Sequence, residues 1–98
     1  MKNAQAIQCG GFGAHNWYDK NRDRCIKIGA TAWCEHCHKD MAEGTGWLVN
    51  WNSKDDSLYP MDVELTEFYS GKRLIGNECI KQFLTKGQYA IYAEKVGA

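Results

Sequence analysis

Five cysteines carry most of the chemistry available to this 98-residue chain. Cys34 and Cys37 flank Glu35 and His36, and Cys79 closes the later tetrapeptide Gly76-Asn77-Glu78-Cys79. Two thiols with two residues between them can share one tetrahedral cation, and a third thiol at a helix start can reach the same ion. A thiolate in a first helical turn also gains from the partial positive charge of the free amides there. Cys34, Cys37 and Cys79 are therefore expected to hold Zn2+. For the fourth ligand Cys25 is the first choice, because its segment leads directly into the Cys-x-x-Cys turn. His38 is the second choice, and His36, Cys9 and His15 stand behind it. A three-ligand site open to water also stays open, and would be the route to metal-assisted chemistry. The plainer reading makes Cys9 and Cys25 small buried hydrophobes.

The same turn supports a competing chemistry. Trp33-Cys34-Glu35-His36-Cys37 could exchange disulfides, with Cys34 attacking and His36 stabilising its thiolate. The stretch Ile26 to Lys39 resembles the strand and active-site turn of thioredoxin-like oxidoreductases, which implies a long helix after the second cysteine. Glu43-Gly44-Thr45-Gly46 interrupts any such helix, Pro60 would have to serve as the substrate-binding proline, and Cys79 would have no role. Other catalytic sets are weaker. His15, Asp19 and Ser70 have no spacing of a triad. Asp55-Asp56, Glu64 and Glu67 read as charged loops and solvated faces. Gly10-Gly11-Phe12-Gly13 lacks the strand-turn-helix unit of a dinucleotide loop and reads as a flexible turn. The chain is expected to be non-catalytic.

Composition narrows the classes further. Twelve basic residues balance twelve acidic ones, without the excess that drives general nucleic-acid binding. A local basic face built from Lys20, Arg22, Arg24, Lys27, Lys72 and Arg73 keeps a nucleic-acid-binding zinc domain as an alternative. No apolar run reaches membrane-spanning length, and Met1 to Gln8 lacks the apolar stretch of an export signal. Five cysteines are then expected in a reducing cytoplasm, where close spacing points to metal or catalysis more than to disulfides.

The elements that must position these thiols follow from pattern. One domain is expected over 1–98: an irregular segment 1–24, a zinc-binding core 25–86 and a C-terminal element 87–98. Its class is α+β, a short antiparallel sheet with one or two C-terminal helices, because a chain this short gains materially from a metal staple. Cys25 to Trp33 reads as a strand entering the turn, and Trp47 to Trp51 as the clearest strand. Asn52 to Ser57 is a polar loop. Met61 to Tyr69 fits strand and helix alike. Asn77 is the expected cap of a helix with Ile80, Phe83 and Leu84 on one face and Gly87 as its stop. Gln88 to Val96 reads as a second short helix.

The order of Cys-x-x-Cys turn, glycine-rich turn at Gly44 and Gly46, strand, and helix carrying Cys79 resembles the treble-clef and zinc-ribbon group. Across residues 33 to 86 it is similar to small phage-type proteins that pair a Cys-x-x-Cys with a Gly-x-x-Cys helix start. One departure stands out: treble clefs place a second helix ligand three residues on, where this chain has Gln82. The resemblance implies a zinc-stabilised module that binds a host protein, such as a modulator or inhibitor of a host or defence enzyme, acting in the host cytoplasm. Large aromatics are favoured anchors of such contacts. Trp17, Tyr18, Trp47 and Trp51 are the first candidates, followed by Tyr59 and Tyr69, with core packing as the plainer role of each.

Overall fold

A computed structural model describes residues 5–97. Its frame is an antiparallel sheet centred on the strand that the aromatic and branched residues predict. Numbered in chain order, the strands are β1 (Ile7–Gln8), β2 (Trp47–Asn52), β3 (Ser57–Tyr59), β4 (Gly71–Ile75) and β5 (Ala93–Lys95). β4 runs along one edge of β2, pairing Trp47 with Ile75 and Trp51 with Gly71. The other edge of β2 is shared: β3 covers its C-terminal half and β5 its N-terminal half. β1 adds to the far side of β3. The polar run before Ser57 forms the β2–β3 turn, as expected. The class is thus α+β, and no helix among the described residues is long and apolar enough to cross a membrane.

The helices are α1 (Tyr18–Ile28), α2 (Asn77–Ile80) and α3 (Tyr89–Tyr92), the last preceded by a 3-10 turn at Lys86–Gln88. Helix α1 corrects two expectations, the irregular 1–24 segment (of which residues 1–4 lie outside the described chain) and the strand from Cys25. Only Cys25 of α1 is buried, so the helix has no apolar stripe and its periodicity is invisible. Its end was nevertheless written in the chain. Gly29 adopts φ 66° and caps it, with Gly29 N–H bonded to Ile26 O and Ala30 N–H to Cys25 O, the paired bonds of a Schellman stop.

Helix α2 is shorter than the apolar spacing predicts, and its cap is Gly76, not Asn77. Asn77 cannot serve because its Oδ1 accepts from Trp47 Nε1 at 2.9 Å. Beyond Ile80 the chain tightens, with Gln82 N–H on Cys79 O and Phe83 N–H on Ile80 O. Thr85 then starts a new turn, its N–H taken by Gln88 Oε1 at 2.8 Å. The expected helix over 88–96 is half right: α3 gives way to β5 as soon as the chain reaches the free edge of β2. Residues 61–69 are neither strand nor helix. Asn50 Nδ2 holds Pro60 O and Val63 O, and Asn52 Nδ2 holds Glu67 Oε1, so β2 straps this segment through side chains. The core joins Val49, Leu58 and Ile75 of the sheet to Ile80, Leu84 and Tyr92, and includes Cys34, Cys37 and Cys79.

Candidate metal centre

Cys34 and Cys37 sit in a tight loop closed by the bridge between Trp33 and Asp40. Within it Cys34 N–H donates to Lys39 O at 3.0 Å and His38 N–H to Cys34 O at 2.7 Å. His38 takes φ 64° in this loop, a left-handed conformation that costs an ordinary side chain about 1 kcal/mol. Glu35 N–H reaches Leu74 O at 2.8 Å, which fixes the loop against the end of β4. From that end Gly76 leads straight into α2, and Cys79 lies in its single turn.

The result is one cluster. The sulfurs of Cys34, Cys37 and Cys79 all lie within 4.8 Å of one another, and all three residues are buried. Three converging thiols could hold a metal ion, and soft sulfur donors suit thiophilic cations such as zinc. Their protonation is uneven. The neighbouring Cys79 thiol holds the Cys34 thiol below its ordinary value, opposed by burial. Cys79 is correspondingly raised, first by Cys34 and then by burial. Burial raises Cys37 as well. One anionic sulfur with two protonated neighbours is the state a metal ion displaces protons from.

Cys25, the expected fourth ligand, stands outside the cluster. Its thiol donates to His38 O at 3.2 Å and so pins α1 to the outer side of the loop. Asn21 Nδ2 on Cys37 O and Arg24 Nε on Asp40 Oδ1 complete that attachment. The physical reason is the helix itself, since a strand through Cys25 would have run alongside the turn whereas α1 packs behind it. His38, the second choice, also stays outside. Its ring stacks on Trp33 at 5.2 Å and meets the edge of Tyr18, and its Nδ1 is buried with no partner among the described residues. His36 turns the other way, accepting Gly13 N–H on Nδ1 at 3.0 Å and packing against Phe83. Cys9 and His15 line a separate cleft. Asn21 carries no sequence signal because it is not a ligand type, whereas the Gly-x-x-Cys spacing points at Gly76.

The aromatic candidates divide. Trp51 donates to Asp56 Oδ1 and stacks on Phe12 at 5.2 Å, while Trp47 packs on Tyr89 under Lys95. Tyr18 is half-buried against His38. Trp17 and Tyr69 are exposed, and so is Phe68, which the sequence reading passed over and which packs on Tyr69 at 4.2 Å. The basic residues of α1 are partly neutralised, Arg22 by Asp19 and Asp23 and Arg24 by Asp40. No family model matches the chain, and no curated protein or solved structure shows significant similarity to it.

Proposed function

We propose that this chain is a non-catalytic, zinc-stabilised protein-interaction module of the treble-clef kind. The observation that carries the reading is the convergence of three buried sulfurs inside the core, joining the loop of Cys34 and Cys37 to the helix turn of Cys79. A metal there would tie the loop to the helix turn, as structural zinc does in small domains. Two facts weigh against disulfide exchange. Cys34 is 1% exposed, beyond reach of a protein disulfide, and no helix follows Cys37. Neutralised arginines on α1 weigh against a nucleic-acid face.

Function then lies in a surface, and the resemblance to phage-type proteins suggests a host enzyme as the partner. Trp17, Phe68 and Tyr69 are the exposed aromatics through which such a module would dock. Elemental analysis of purified protein should give about one zinc per chain, with cooperative unfolding lost on chelation. Cys79→Ala should lose the metal, while Cys25→Ala keeps it. A chain that folds unchanged without metal would refute the stabilising role. For docking, the wild type should capture a host protein that a metal-loaded Trp17→Ala, Phe68→Ala, Tyr69→Ala variant does not. Capture of nucleic acid alone would favour the alternative domain.

A further inference from the structure

The three sulfurs form one wall of an open cleft of about 380 Å³, whose other walls include Lys39, Asp40, Met41, Thr45, Asn77 and Glu78. A tetrahedral zinc needs four donors, and sites with three protein ligands keep the fourth position for an incoming group. Among the described residues no fourth Cys, His, Asp or Glu joins the cluster. Residues 1–4 and 98 are Met, Lys, Asn, Ala and Ala, so none of them is such a residue either.

Most nearby donors are engaged elsewhere, and His38 Nδ1, which has no partner among the described residues, lies outside the cluster. Cys25 Sγ is bonded to His38 O, and His36 Nδ1 to Gly13 N–H. Asp40 holds Arg24 at 3.1 Å, and Glu78 faces Lys81 at 3.4 Å. His38 is packed between Trp33 and Tyr18.

We propose that a metal in this centre takes its fourth ligand from outside the chain, through the cleft, and that this ligand is a neutral nitrogen donor of the imidazole type. The proposal rests on the zinc-binding reading above. Charge selects the donor. Three thiolates on a divalent cation leave one negative charge on a centre held within the buried core. A fourth thiolate or a carboxylate would add a second negative charge to the buried centre. Imidazole adds none, and it suits zinc better than a hard oxygen donor does.

The test uses the full chain loaded with cobalt(II), whose d–d absorption reports the ligand set. Titration with imidazole should shift those bands saturably, at lower concentration than 2-mercaptoethanol or acetate does. A short peptide bearing one histidine separates the sources. If it binds as well as imidazole, the ligand is a partner's side chain; if it is excluded while imidazole binds, the ligand is a free small molecule. Asp40→Asn, Glu78→Gln and His38→Asn should leave the spectrum without imidazole unchanged. Three results overturn the proposal: a loaded chain blind to imidazole, tighter binding of the thiol, or a spectrum altered by one of those variants. A chain that takes up no cobalt overturns the zinc reading and this proposal with it.

Discussion

Asp56 does more structural work than any other carboxylate described here. Its Oδ2 accepts Gly11 N–H at 2.6 Å, and its Oδ1 accepts Phe12 N–H at 3.2 Å and Trp51 Nε1 at 2.9 Å. Its backbone oxygen takes Cys9 N–H at 2.8 Å, and it holds φ 53° to do so. The glycine turn that looked merely flexible is thus wrapped around an anion, which places Phe12 against His36 and Phe83 beside the sulfur cluster. Hydrogen bonds to a charged acceptor contribute more than neutral ones, and removing the acceptor leaves donors unpaired. Asp56→Ala should therefore cost on the order of 2–3 kcal/mol in denaturant unfolding. Asp56→Asn should fall between it and the wild type, because asparagine tolerates the left-handed conformation and keeps one acceptor oxygen. Equal losses for both variants would mean that charge, not geometry, holds the turn. Nothing in the sequence marked Asp56 from its neighbour Asp55, since the glycine turn it holds lies more than forty residues away.

At the scale of elements, Gly46 sets how the sulfur cluster meets the sheet. It takes φ 94° immediately before β2, and a Cβ there would stand 2.5 Å from Met41 Cε and 2.9 Å from Ile75 O. The methionine can move; the backbone carbonyl, one residue before Gly76, cannot. Gly44 also has positive φ, at 79°, yet a Cβ there meets nothing within 4 Å. Gly44→Ala should then cost only the conformational term, about 1–2 kcal/mol, and Gly46→Ala distinctly more in thermal melts of the metal-loaded protein. Equal shifts would show that the close approach carries no weight. The two glycines were legible as a turn, but not which of them was sterically required. The same division runs through the other elements. β2 was readable because its aromatic and branched residues carry strand preference locally. Helix α1 was not, because its stability comes from capping and from bonds to a loop elsewhere in the chain. The thiol spacing identified the cluster, whereas the direction of Cys25 depended on an element whose type could not be read.

For the whole molecule the decisive quantity is how folding couples to metal and protons. Three of the ten buried core residues are the clustered cysteines, so the metal-free chain has a thin apolar interior with two protonated thiols and one thiolate inside it. Zinc must displace thiol protons, those of Cys37 and Cys79 being held more tightly than usual and that of Cys34 less tightly. The sign follows directly: below the raised thiol values each bound proton competes with the metal, so metal-linked stability grows with rising pH. Loading should therefore release protons, and more of them per zinc as the pH falls. At fixed free zinc the melting temperature should accordingly climb from pH 5 to 7.5, whereas a Cys79→Ala chain should lack that climb. Proton release measured in weak buffer checks this trend independently. A zinc affinity that does not vary with pH would mean that the sulfurs are not the ligands, since each thiol must give up its proton to bind.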